Sequence, residues 1–205
     1  MRKYFRCGAA EPKIKTCASA FLSYCSIPKG DYVMEFTNKV IENYCHVVLQ
    51  FELVKLTKNR NGISVGTDLS EVDSLWNDYL LNQFAWPIFS EKLKNLISEN
   101  LRQHQIIKWI QCEIKHNEEI KNYYIPIYQY EDNVLDTNNT IFVGNTNLII
   151  VPAFKSEVID KLDFFKYPGE TIMEPDFYIS DILKRKFDKA GITGIRYDKN
   201  VSVTH

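Results

Sequence analysis

The sequence of residues 178–197 is YISDILKRKFDKAGITGIRY, and it contains the best-marked secondary structure in the chain. Ser180 is a favoured helix N-cap residue, and Asp181 in the first turn suits the positive end of the helix dipole. Apolar residues recur at helical spacing from residue 182 to residue 190. Gly191 stands where a helix needs a left-handed C-cap. The stretch therefore predicts a helix followed by a short closing strand at residues 195–197.

A second helix with the same start is predicted after Ser90. The sequence is SEKLK at residues 90–94 and SDILK at residues 180–184. Capping chemistry alone can produce this similarity, so no repeat is inferred. An apolar stripe at helical spacing predicts a third helix over residues 70–84, and residues 155–165 favour a helix or a looser turn.

Strands are predicted where apolar and polar residues alternate or where a short apolar run is bounded by turns. Pro126 suggests an edge position for its strand, and NLIIV at residues 147–151 suggests a buried strand. We expect an α+β protein with a mixed or antiparallel sheet and several packed helices, and two lobes are allowed. The expected division is an N-terminal α+β region at residues 1–85, which begins with a basic arm, and a second α+β domain at residues 86–205. The predicted strands cover residues 45–54, 63–65, 106–116, 123–130, 147–151 and 195–197.

The composition excludes several classes of protein. The chain has 205 residues, is 45% hydrophobic and 25% charged, and carries a formal charge of −1. This is globular composition without the basic surplus that a general nucleic-acid binder needs. Residues 1–30 carry six Lys or Arg and one acid, so a basic arm offsets an acidic body. No apolar run approaches the roughly 20 residues of a membrane span, and we expect a cytoplasmic protein without a signal peptide.

A search for catalytic and metal-binding patterns predicts no catalytic residue, no cofactor and no metal site. Cys112 and His116 lie too far apart on a strand to share one zinc ion, and Cys45 and His46 would point to opposite faces. The chain has five cysteines at irregular spacing, which favours reduced and mostly buried thiols. The acids between residues 157 and 181 leave a paired-carboxylate hydrolase open.

Tyrosines beside carboxylates give the one suggestive surface in the sequence. Tyr128 and Tyr130 run directly into Glu131 and Asp132. Tyrosine is enriched in protein interfaces, and neighbouring carboxylates would attract a basic partner. We therefore predict Tyr128, Tyr130, Glu131 and Asp132 as partner-binding residues, although an amphipathic strand with one tyrosine face buried explains the same pattern.

Three segments resemble one bacterial family. They are residues 77–97, with NDYL and WPIFSEKLKNLI; residues 123–136, with YYI and VLD; and residues 178–197, with the serine-capped helix followed by GITG. Over about residues 77–199 the chain resembles the polymorphic-toxin immunity protein family eleven, a domain formerly of unknown function. The resemblance implies an immunity protein that binds and neutralises a cognate bacterial toxin by occlusion.

The family resemblance leaves other functions open. The alternatives are a carboxylate-dependent hydrolase of unknown substrate and a homo-oligomeric structural or interaction module. The expected partner is the toxin protein, with a homodimer as a further option, and neither nucleic acid nor a membrane is expected as a partner.

Overall fold

The computed structural model describes residues 2–10, 16–22, 49–72, 74–129, 132–144, 146, 148–166, 176–199 and 201–204. The strands are β1 (Tyr4–Ala9), β2 (Thr16–Leu22), β3 (Leu49–Asn59), β4 (Gly62–Gly66), β5 (Tyr79–Asn82), β6 (Ile88–Ser90), β7 (Ile107–His116), β8 (Glu119–Tyr128), β9 (Ile141–Phe142), β10 (Ile149–Val151), β11 (Ala153–Lys155), β12 (Phe164–Phe165), β13 (Phe177–Ser180), β14 (Ile195–Asp198) and β15 (Ser202–Thr204). The helices are α1 (Glu91–Ser98), α2 (Ser156–Ile159) and α3 (Asp181–Ala190).

The prediction of an α+β fold with several packed helices is wrong. Of the described residues, 49% lie in strands and 14% in helices, and those helices number three. The physical reason lies in two segments whose apolar spacing suggested helices. Residues 70–84 contain turns and then β5, and residues 155–165 contain only the single-turn helix α2 before β12 begins.

Six strands form a closed barrel. The neighbours are β2, β5, β6, β8, β7 and β3 in that order, and the pairing of β2 with β3 closes the ring. Side chains alternate along each strand, so every second residue points into the barrel. On β3 these residues are Leu49, Phe51 and Leu53, and the small Ala18 and Ala20 of β2 face the same core. Closure gives the ring strands a neighbour on each side, which protects their edges from pairing with other chains.

A second sheet packs beside the barrel in the order β12, β13, β1 and β14. Helices α1 and α3 share a core with it, to which they contribute Leu93, Ile97, Leu183 and Phe187. Strand β1 comes from the predicted region 1–85, and its partners β13 and β14 come from the region 86–205. Both sheets thus combine strands from the two sides of the predicted boundary.

Strand β8 has neighbours on both sides, so the edge position suggested by Pro126 is wrong for the strand as a whole. Pro126 lies opposite Trp109 of β7, while β6 pairs only with Tyr123 and Tyr124. The proline therefore lies beyond the end of β6, where its missing N–H costs no hydrogen bond to that strand.

The two serine-capped helices are built alike, as the local sequences suggest. The Ser90 hydroxyl donates to Asp78 Oδ1 at 2.6 Å and accepts from the Leu93 N–H at 3.2 Å. The Ser180 hydroxyl donates to Asp163 Oδ1 at 2.6 Å and accepts from the Leu183 N–H at 3.2 Å. Each serine N–H also donates to the carbonyl oxygen of the same aspartate, at 2.8 and 2.9 Å. The structure thus extends the sequence similarity to a hairpin-and-helix unit that occurs twice.

Replacing Ser180 by alanine removes both side-chain hydrogen bonds at the start of α3. We expect Ser180→Ala to lower the free energy of unfolding by about 2 kcal/mol, about half from the lost cap and half from the buried hydrogen bond to Asp163. Chemical denaturation measures the effect. Ser98→Ala, at the exposed end of α1, is the control and should leave stability nearly unchanged. An equal effect of the two substitutions would contradict this role of Ser180.

Candidate functional site

Two of the predicted partner-binding residues have internal contacts. The Tyr128 ring is buried against Phe164, with centroids 6.2 Å apart, and Lys166 Nζ lies 4.8 Å from the tyrosine ring centroid. The carboxylate of Asp132 is only 1% exposed and accepts a hydrogen bond from Gln105 Nε2 at 2.7 Å. Tyr130 and Glu131 lie outside the described residues. Partner binding by these four residues stays a prediction. The contacts described for Tyr128 and Asp132 are made within the protein itself.

The thiols with a described environment are shielded from solvent to different degrees. Cys7 and Cys112 are buried and Cys17 is half-buried, and all three are free. Burial raises the pKa of each thiol, most strongly for Cys7 and Cys112, which disfavours the nucleophilic thiolate. Cys45 and His46 lie outside the described residues. Within the described ranges, no group of three or more His, Cys, Asp or Glu could hold a metal ion.

Acids between residues 157 and 181 form ion pairs with arginines. Asp163 pairs with Arg2 at 3.3 Å, Asp181 pairs with Arg185 at 3.0 Å, and Asp176 pairs with Arg6. These ion pairs give three of the carboxylates a structural role. The hydrolase alternative stays a prediction.

Two of the three segments behind the predicted family resemblance, residues 77–97 and 178–197, meet at the carboxylate of Asp78. Besides its contact with Ser90, this carboxylate accepts from the Thr193 N–H at 2.9 Å and lies 3.4 Å from Lys92 Nζ. The Thr193 carbonyl in turn accepts from the Tyr79 N–H at 3.2 Å. Since the Ser90 hydroxyl already donates to Asp78 and caps α1, this cluster joins two parts of the fold and holds no free nucleophile at Ser90.

Gly194 completes this junction through its backbone. Its φ angle is +78°, and an added Cβ would collide with the Tyr79 carbonyl oxygen and lie 2.8 Å from the Asn77 side chain. The second glycine of the GITG motif is therefore required by a close approach of two backbones and by left-handed geometry. The motif residues Thr193 and Gly194 have structural roles that sequence spacing alone did not reveal.

Asp136 of the second segment organises a loop. Its carboxylate accepts from Asn139 Nδ2 at 2.8 Å and from the Thr204 hydroxyl at 2.7 Å. The hydrogen bond from Asn139, together with that from Thr204, lowers the pKa of Asp136. The loop leads directly into the strand β9.

The most exposed apolar surface in the described part of the chain is a hairpin at residues 141–151, here called the apolar hairpin. Its sequence, IFVGNTNLIIV, contains no charged residue. Strands β9 and β10 pair antiparallel, and Phe142 and Ile149 pack against the core under them. The other large apolar side chains are between 44% and 66% exposed: Ile141, Val143, Leu148, Ile150 and Val151.

This surface has the size of the largest apolar patches found on soluble monomers. Five half-exposed aliphatic side chains present on the order of 400 Å² of apolar area, within the range of the largest patches on soluble monomers, which are often functional. The predicted strand at 147–151 is confirmed for Ile149–Val151, but the prediction that it is buried is wrong, because Ile149 alone among its described residues packs against the core. The sequence signal available for this exposed surface was the absence of charge over eleven residues. A buried strand explains the same absence equally well.

Comparisons with known proteins give no match: no protein-family model fits the chain, and no curated protein matches it significantly. None of the helices in the described ranges is long and apolar enough to cross a membrane.

Gly194→Ala should destabilise the protein by about 2 kcal/mol or more, because the new Cβ is strained at this φ and meets backbone. Thermal or denaturant unfolding measures the loss. Gly66→Ala is the matched control, since a Cβ there has open space within 4 Å. A stable Gly194→Ala protein with unchanged unfolding would refute the close approach.

Site-resolved alkylation should distinguish the three thiols. We expect N-ethylmaleimide at pH 8 to modify Cys17 well before Cys7 and Cys112, with a rate for Cys17 that rises with pH because its raised pKa keeps it protonated. Mass spectrometry of the digested protein follows each site, and denatured protein, in which the three should react alike, is the control. Equally rapid native labelling of Cys112 would contradict its position inside the barrel.

Proposed function

We propose that this protein is a cytoplasmic immunity protein that binds a cognate bacterial toxin and neutralises it by occlusion. Two observations support the proposal. The first is the resemblance of residues 77–199 to an immunity family, and the second is the apolar hairpin. The hairpin is the observation that carries it, because the largest exposed apolar patch of a soluble protein is often its functional surface.

Two threonines brace the described parts of the hairpin through hydrogen bonds to the backbone. The Thr140 hydroxyl donates to the Asp136 carbonyl at 2.7 Å and accepts from the Ala153 N–H at 3.1 Å, which fixes its base. The Thr146 hydroxyl donates to the Val143 carbonyl at 2.7 Å and accepts from the Leu148 N–H at 3.2 Å, which links the ends of the two strands. A surface ordered in this way loses little conformational entropy on binding.

The apolar side chains would form the centre of the contact. A stable interface buries roughly 1,200–2,000 Å² in total, or about 800 Å² on each partner. The hairpin supplies on the order of half of one partner's share, and polar residues around it would supply the rim. A stoichiometric inhibitor of this kind acts by covering its target, so the proposal assigns no catalytic step to the protein.

The test is binding and rescue with the toxin encoded beside this gene. Leu148→Glu and Ile150→Glu place a charge in the centre of the proposed interface, and we expect each to weaken toxin binding at least about tenfold and to abolish protection of cells. Isothermal titration calorimetry measures the affinity, and survival during co-expression measures the protection.

The control is Ile63→Glu on β4. Ile63 is 68% exposed and Leu148 is 66% exposed, so the two changes perturb folding to a similar extent. The Ile63 variant should bind and protect like the parent chain. Full protection by both hairpin variants would contradict the proposal. A self-associated species that the hairpin substitutions dissolve, without any toxin complex, would assign this surface to a homo-oligomer and also contradict it.

A further inference from the structure

The apolar hairpin contains a β-bulge at Ile150. Ile149 lies opposite Phe142 and Val151 lies opposite Ile141, so one step along β9 corresponds to two steps along β10. Ile150 is therefore the extra residue, and two residues of β10 stand against one residue of β9. A regular antiparallel pair would place only one side chain opposite Ile141.

The bulge exposes two neighbouring side chains of β10. In a regular strand the side chains alternate, so Ile150 and Val151 would lie on opposite faces of the hairpin. Here Ile150 is 56% exposed and Val151 is 44% exposed, while Ile149 packs against the core. Ile141, which stands opposite them, is also exposed. The three aliphatic side chains of Ile141, Ile150 and Val151 are here called the bulge cluster.

Every side chain of the bulge cluster is branched at Cβ. Branching at Cβ restricts the χ1 angle, so these side chains have less rotamer entropy to lose on binding than long flexible ones. Phe142 and Ile149 lie under the cluster and pack against the core. The cluster therefore offers a partner three aliphatic groups that are ordered at small entropic cost.

The charged residues that flank the hairpin in the sequence are engaged within the protein. The carboxylate of Asp136, before the hairpin, accepts hydrogen bonds from the side chains of Asn139 and Thr204. The ammonium group of Lys155, after the hairpin, donates to the carbonyl oxygen of Asn133 at 3.5 Å. The hairpin itself contains no charge. A charged group of a partner would lose water against this surface without gaining an opposite charge from the hairpin, which is unfavourable.

We propose that the bulge cluster selects the toxin by contact with an uncharged apolar patch on the toxin surface. The inference rests on the proposed toxin-binding role of the apolar hairpin and adds the chemistry of the partner. Burial of aliphatic groups supplies the affinity, and the cost of burying charged or polar groups against them supplies the specificity. This contact differs from the attraction of a basic partner that the tyrosines and carboxylates of residues 128–132 suggest.

The substitution Val151→Thr tests the cluster, because threonine has nearly the shape of valine and adds a hydroxyl group. We expect it to weaken toxin binding about tenfold in isothermal titration calorimetry, since the hydroxyl group would be buried against apolar groups without a hydrogen-bond partner. Val65→Thr is the matched control, because Val65 on β4 is also exposed, and it should bind like the parent chain. Parental affinity in the Val151 variant would overturn the inference.

Deletion of Ile150 tests the bulge itself. It removes the extra residue and leaves Val151 opposite Ile141 in a regular pair. We expect the folded deletion variant to bind the toxin at least about tenfold more weakly, and circular dichroism monitors its fold. If the deletion prevents folding, Ile150→Thr keeps the register and should weaken binding about tenfold. Parental affinity in the folded deletion variant, or in Ile150→Thr, would overturn the inference.

The salt dependence of the complex tests the absence of charge in the contact. Between about 50 and about 500 mM NaCl we expect the Kd to change by less than about threefold, because salt screens charges and leaves apolar contacts in place. A larger weakening at high salt would overturn the inference.

The hairpin variant Leu148→Glu separates this inference from the proposed function. Loss of toxin binding in Leu148→Glu, combined with strong salt dependence of the parent complex, would keep the hairpin as the toxin-binding surface and reject the uncharged partner patch. Parental toxin binding by Leu148→Glu would reject both. Loss of binding in Leu148→Glu and in Val151→Thr, with little salt dependence, is the result expected.

Discussion

The arrangement of the two sheets depends on the hydrogen bonds that the carboxylate of Asp78 accepts. This carboxylate is a mostly buried charge, and a buried charge is tolerated only when hydrogen bonds replace its water. Its donors come from Ser90, at the start of α1, and from Thr193, just before β14. Because β14 begins two residues after Thr193, this contact lies where the chain enters its pairing with β1.

The same solution occurs a second time at Asp163. In both places an aspartate before a strand accepts two hydrogen bonds from the serine that caps the next helix. Its carboxylate accepts from the serine hydroxyl, and its carbonyl oxygen accepts from the serine N–H. The two helices then present apolar side chains to one shared core, where Phe89 and Phe177 meet edge to face at 5.5 Å. The barrel and the second sheet are thus joined through two similar hairpin-and-helix units. The serines serve more than helix capping, since each also satisfies a carboxylate that water reaches poorly.

Local signals in the sequence predicted the elements whose causes are local. The caps at Ser90, Ser180 and Gly191 are confirmed, because side-chain hydrogen bonds and a left-handed φ need no distant partner. Barrel closure was not predictable, because the pairing of β2 with β3 and β5 joins residues far apart in the sequence. The apolar stripe of residues 70–84 fits a helix and a buried turn equally well. The structure has turns followed by β5, because β5 pairs with β2 and β6 in the barrel. Spacing likewise could not show that Thr193 meets Asp78.

The closed ring explains where interaction surfaces occur. Of the nine large apolar side chains exposed in the described part of the chain, Ile120 lies on a ring strand and Ile106 immediately before one, while the other seven lie on β4 or on the apolar hairpin. A ring whose strands pair with each other leaves few edges to bind with, so it supplies rigidity while the appended strands supply contacts. The apolar hairpin is the clearest case, since its two strands pair with each other outside the ring and present side chains without charge.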